Sequence, residues 1–137
     1  MIVNDLNGIS SAWKISVSPK SKKRNKTSNY HSLAKSLLGI MYPVYSICEE
    51  IPINIQNNIW LYLDIYLPTI NMAIEIHGEQ HYSFNVFFHK TQLGFLQQKQ
   101  NDRLKQEWCK LNNVALICLP YNETTEEWQD RIENYEY

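Results

Sequence analysis

At 137 residues, 44% of them hydrophobic and 20% charged, the chain has the length and apolar fraction of one globular domain with a single core. No apolar run approaches the ~20 residues of a membrane span and the start lacks a signal-peptide pattern, so a soluble, cytoplasmic protein with no membrane partner is expected. The net charge of −1 does not exclude an anionic partner: six of the fourteen acids (Glu123, Glu126, Glu127, Asp130, Glu133, Glu136) lie in the last sixteen residues, and the chain before them carries +4.

Residues 1–17 carry weak strand signals at Met1 to Val3 and Ile15 to Val17, around Gly8. The segment 18–29, rich in Ser, Lys and Asn after Pro19, reads as a flexible linker. It holds Lys20, Lys22, Lys23, Arg24 and Lys26. Such a cluster neutralises phosphates and releases counterions; a solvated arm is the plainer reading of the same residues. Leu33, Leu37, Leu38 and Ile40 have helical spacing over Ser32 to Ile40, limited by Gly39 and Pro43. Tyr45 to Ile55 reads as a first strand interrupted by Pro52, and Gln56, Asn57 and Asn58 as a turn.

Trp60 to Leu67 is the clearest strand. Leu61, Leu63, Ile65 and Leu67 alternate with Trp60, Tyr62, Asp64 and Tyr66, which points Asp64 away from the aliphatic face. Pro68 ends this strand, Ile70 and Asn71 turn, and Met72 to His77 returns as its antiparallel neighbour. Gly78 marks where the backbone leaves the sheet. Residues 79–92 form a polar and aromatic loop with Tyr82, Phe84, Phe87, Phe88 and His89, more suited to a satellite core than to base stacking.

Leu93 to Leu111 reads as a long helix with Leu104, Trp108 and Leu111 on one stripe, and with Asp102, Phe95 and Cys109 on the other side. Asn112 and Asn113 close it. Val114 to Leu119 is a fully apolar strand, expected at the centre of the sheet. Thr125 to Tyr135 forms an acidic helix with Trp128, Ile132 and Tyr135 inward. Helix, three strands, helix, strand, helix makes an α/β fold: a mixed β-sheet core flanked by helices. Cys48, Cys109 and Cys118 lack any CxxC spacing and read as reduced, partly buried thiols.

Two acids in neighbouring strands carry the chemistry. Asp64 closes one apolar run and Glu75 sits within the next, with His77 two residues on and therefore on the same side of the sheet. Ile74 and Ile76 then point into the core. Paired carboxylates are hard oxygen ligands for Mg2+ (or Mn2+), which binds through one or two carboxylates, waters and a substrate phosphate. The Ile76 carbonyl adds a third candidate ligand. An imidazole, with an unperturbed pKa of ~6.5, suits the general base that activates water for phosphodiester hydrolysis. Gln80, His81 and Lys105 are candidates to contact the scissile phosphate or stabilise the leaving oxygen. The plainer alternatives are an Asp64 that bonds backbone near Pro68 and a Glu75 that faces water. His77-Gly78-Glu79-Gln80-His81 is not a zinc-protease motif, because Gly78 displaces the glutamate and a strand precedes it.

This arrangement resembles the PD-(D/E)XK nuclease superfamily and, within it, the very short patch repair endonucleases. Asp64 matches the acid of the first strand and Glu75 that of the second. His77 stands at the superfamily's lysine, and the short-patch enzymes carry a His-Gly pair where His77 and Gly78 stand. Their helical aspartate is matched by Asp102, eleven residues before Asn113, and by analogy it would orient His77. The run from Ala73 to Tyr82 and the later Asp102-x-x-Lys105 also resemble phage and bacterial endonuclease-like proteins, in which Gln80 and His81 recur.

The resemblance implies a restriction-endonuclease-like fold over 31–121. An N-terminal segment with the basic linker (1–30) would precede it, and a C-terminal acidic helix (122–137) would follow. It implies a Mg2+-dependent endonuclease that nicks or cleaves DNA (RNA staying open) by activated water, in a bacterial or phage-infected host cell, related to homing enzymes. Two departures stand beside it. The short-patch enzymes' helical glutamate falls near His31, with Glu49 or Glu50 as substitutes, and their structural zinc ligands are absent, so mismatch specificity does not carry over. A non-catalytic nucleic-acid-binding module on the same fold and a protein-interaction factor using the acidic tail remain the alternatives.

Overall fold

The computed structural model describes residues 1–15, 29–79 and 91–135. β1 (Ile2–Asn4) and β2 (Ser10–Ala12) pair as a short antiparallel hairpin. There follow α1 (Asn29–Met41), β3 (Cys48–Gln56), β4 (Ile59–Leu67), β5 (Met72–His77), α2 (Gln92–Leu111), β6 (Ala115–Pro120) and α3 (Thr125–Glu133). β3 to β6 form one sheet in that order, antiparallel between β3, β4 and β5, and parallel between β5 and β6. The expected mixed sheet flanked by helices is present.

Local chemistry explains the connections. Asn57 (φ 50°) turns β3 into β4 and Asn71 (φ 51°) turns a single 3-10 turn, Pro68–Ile70, into β5. Asparagine tolerates this left-handed region because its short amide bonds locally. A tight antiparallel connection is available to β4 and β5, whereas the parallel step to β6 needs a crossover, which includes α2. Asn113 (φ 58°) then redirects the chain after α2. α3 begins with a capping box in which the Thr124 side chain accepts from the Glu127 N–H and Glu127 accepts from the Thr124 N–H, satisfying two otherwise orphaned donors.

The sheet is buried on both faces. On one, Ala34, Leu37 and Leu38 of α1 and Trp128 and Ile132 of α3 pack on Ile65, Leu67, Met72, Ile74, Ile76, Ile117 and Leu119. On the other, Trp108 and Cys109 of α2, with Val3 and Trp13, pack on Ile51, Ile53, Ile55, Leu63, Tyr66 and Ala73. Each aliphatic side chain so enclosed contributes about 1.5–3 kcal/mol. No helix among the described residues is long and apolar enough to cross a membrane.

Several expectations need correcting. A second N-terminal strand is Ser10–Ala12; of the expected Ile15 to Val17, Ile15 lies outside any strand and the other two residues lie outside the described residues. Pro52 does not interrupt β3: on a strand at the sheet's edge its missing N–H costs no rung, and its carbonyl accepts from the Trp13 indole at 3.0 Å. β6 is an edge strand among the described residues, not a central one. Its apolar character comes from cover on both faces, which sequence cannot separate from central position. Leu111 is exposed on the last turn of α2, while Trp108 is fully buried. The run Leu61, Leu63, Ile65, Leu67 does not share one face: Leu61 and Leu63 pack in the α2 layer, Ile65 and Leu67 in the α1–α3 layer. The layers change at Asp64.

Candidate active site

The change of layer has a local cause. Register across β3 and β4 runs from Glu49 opposite Ile65 to Ile51 opposite Leu63, leaving Glu50 and Asp64 unbridged between them. Glu50 has a φ of 53°, a left-handed value that a non-asparagine side chain adopts at a cost. Freed from the β3 ladder, the Asp64 N–H donates to Glu75 Oε2 at 2.8 Å. The β4–β5 ladder ends at Ile65 opposite Ile74. Beyond it, the Ile76 N–H donates to Asp64 Oδ2 at 2.9 Å. Where backbone pairing stops, each carboxylate accepts an N–H of the other strand.

Asp64 and Glu75 therefore stand side by side, as expected, and both plainer alternatives fail. Asp64 bonds across to β5 rather than toward Pro68. Glu75 is 2% exposed and does not face water. It shares a sheet face with Ala73, in the layer of α2, and that helix meets it: Lys105 Nζ donates to Glu75 Oε1 at 2.7 Å, with the two side chains 15% and 3% exposed. Burial, reinforced by the Asp64 charge, pushes the Glu75 carboxyl up to about 7 against the pull of Lys105. Burial works to lower Lys105, but the Glu75 carboxylate, then Asp64 and Asp102, outweigh it and hold the ammonium above its ordinary value.

His77 is buried in line with Glu75, at the end of β5, where its carbonyl accepts from the Tyr121 N–H at 2.9 Å. Asp102 lies three residues before Lys105, and the two share a face of α2. Ile76 brings its N–H to the site; its carbonyl leaves the same edge of the strand, toward the gap where β4 and β5 part. The expected companions Gln80 and His81, the loop aromatics Tyr82, Phe84, Phe87 and Phe88, His89, and the basic residues Lys20, Lys22, Lys23, Arg24 and Lys26 lie outside the described residues.

Glu49 and Glu50 divide. Glu49 is tied to α1, accepting from Lys35 at 2.8 Å and lying 2.8 Å from His31 Nε2. Burial raises its carboxyl, but Lys35 and His31 outweigh that and bring it below the usual value. Glu50 stands in register with Asp64. What sequence reasoning missed was the partner of Lys105: named as a candidate to contact the scissile phosphate or stabilise the leaving oxygen, it is also the counter-ion of Glu75. The signal was present: a glutamate inside a wholly buried strand needs a buried cation. Cys109 and Cys118 also flank the site, and burial, then the Glu75 charge, raises each thiol to about 12.

Among the described residues no three His, Cys, Asp or Glu side chains converge as a metal cage. Two carboxylates of adjacent strands and a backbone carbonyl nonetheless fit the donor set of a hard divalent ion, which completes its shell with water and phosphate.

No family model and no solved structure matches this chain. It is similar to the uncharacterized protein 033L of Invertebrate iridescent virus 3, 43% identical over 61 residues, covering 44% of this chain and 31% of that protein. It is likewise similar to the uncharacterized protein 307L of Invertebrate iridescent virus 6, 42% identical over 66 residues, covering 48% of this chain and 34% of that protein. The match thus spans about a third of the length of these curated relatives.

Proposed function

We propose that this chain is a metal-dependent DNA endonuclease with a restriction-endonuclease-like fold of the PD-(D/E)XK type, hydrolysing phosphodiester bonds by activated water. The observation that carries the reading is the pairing of Asp64 and Glu75 at the point where β4 and β5 part. The order of helix, three antiparallel strands, helix and parallel strand supports it.

Asp64 and Glu75, with the Ile76 carbonyl, would hold Mg2+ or Mn2+. The ion would supply Lewis-acid stabilisation of the phosphate and a lowered pKa for bound water. His77 takes the proton of the attacking water, and Asp102 orients its ring. Lys105, Gln80 and His81 are assigned contact with the scissile phosphate or stabilisation of the leaving oxygen. Direct attack by water leaves no covalent intermediate.

One observation favours a second reading. Glu75 is already satisfied by Lys105 and by the Asp64 N–H, as a purely structural ion pair would be, and this suits a nucleic-acid-binding module without catalysis. Plasmid nicking separates the two. The enzyme nicks plasmid with Mg2+ or Mn2+, and Asp64→Ala or Glu75→Ala reduces the rate about a thousandfold, because metal-assisted stabilisation is worth several kcal/mol. Salt-sensitive DNA retention without any nicking, unchanged by those substitutions, would establish the binding module instead.

A further inference from the structure

We propose that Lys105 is the resident cation of this acidic site: its ammonium holds the place of the divalent ion in the metal-free protein, and the ion enters by displacing it. The inference rests on the endonuclease reading and names what governs its metal affinity. Lys105 Nζ lies 2.7 Å from Glu75 Oε1, in a pair almost closed to solvent. Three carboxylates act on that one ammonium: Glu75 first, then Asp64 and Asp102.

A divalent ion coordinated at ~2.1 Å by Glu75 Oε1 would lie within about 5 Å of Nζ in its present position. Two positive centres that close, in a site this dry, repel strongly. Both therefore cannot occupy the Glu75 carboxylate as it stands. Lys105 has a way out: its flexible four-carbon stem lets the ammonium swing toward Asp102, one turn earlier on the same face of α2. The exchange solves a problem that a bare pair would pose. Without a cation, two adjacent carboxylates, one of them 2% exposed, would repel and splay. With Lys105 in place they stay aligned for the ion.

Calorimetric titration of Mn2+ at pH 8 into the wild-type protein, Lys105→Gln and Lys105→Met tests the exchange. Removing the competitor is expected to tighten Mn2+ binding about tenfold or more in both variants. Equal or weaker binding in the variants overturns the inference and leaves the endonuclease reading standing. If neither wild type nor variants bind Mn2+ or Mg2+, both fall together. Should the variants not fold, the wild type decides. The 15Nζ resonance of Lys105, protected by its ion pair, is expected to lose that protection on Mg2+ saturation, and an unmoved, still protected signal in the Mg2+-bound protein refutes the displacement.

Discussion

Asp64 and Glu75 each accept a backbone N–H from the other's strand, at 2.9 and 2.8 Å, where the ladder between those strands has ended. The two carboxylates thus act as side-chain rungs. This explains how a glutamate can be buried in the middle of a strand and still stand beside a second acid. One lone pair of each carboxylate is committed to the scaffold, which fixes the orientation of the rest.

The burial of Glu75 has a consequence for stability. Its carboxyl moves from 4.5 to about 7 on folding. Between those values the folded chain keeps a proton that the unfolded chain has lost, so stability falls as pH rises through this window. The full effect is on the order of 3 kcal/mol. The raised Lys105 acts elsewhere: its contribution persists up to the ordinary lysine range and is lost above it. Urea midpoints between pH 4.5 and 8 should decline for the wild type and stay flatter for Glu75→Gln. Parallel curves for the two proteins would refute this assignment.

Glu50 offers a test of strain. At φ 53° it occupies a conformation that asparagine holds at the other left-handed non-glycine positions among the described residues, Asn57, Asn71 and Asn113. Glu50→Gly removes the Cβ that makes this costly and is expected to stabilise the fold by about 0.5–1 kcal/mol. A loss of more than that amount in chemical denaturation would show instead that the Glu50 side chain holds the site together.

His77 is assigned proton transfer rather than metal binding. His77→Gln should slow nicking by about 10²–10⁴ while leaving Mn2+ affinity within a factor of two or so. A loss of Mn2+ affinity in proportion to the loss of rate would reassign the imidazole to the ion.

The basic segment is expected to contribute affinity without chemistry. Changing Lys20, Lys22, Lys23, Arg24 and Lys26 to alanine should weaken DNA binding. It should also lower the slope of log affinity against log salt by up to about 0.9 for each phosphate no longer neutralised. Single-turnover nicking at saturating DNA should hold. An unchanged salt slope would make the segment a solvated tether.

The order of elements, the antiparallel return from β4 to β5 and the pairing of Asp64 with Glu75 were all readable in the sequence. They follow from local rules: strand alternation, proline and asparagine at turns, and a connection too short for anything but a hairpin-like return. Leu37, Leu38, Trp128 and Ile132 were legible from helical spacing, whereas Ala34 was not, and Leu33 and Ile40, which shared that spacing, are exposed. What tertiary structure alone decided was the partner of each group across the layers. A strand of period two indicates that a side chain changes face at every residue, but not that β4 exchanges layers at Asp64, because the cause is a left-handed residue on its neighbour, Glu50. Nor does an apolar run tell an edge strand with both faces covered from a central one, as β6 shows. Lys105 belongs to Glu75 because α2 lies across β5, bringing together residues thirty positions apart in the chain. Long-range charge pairing of this kind is set by packing between elements, and no local pattern encodes it.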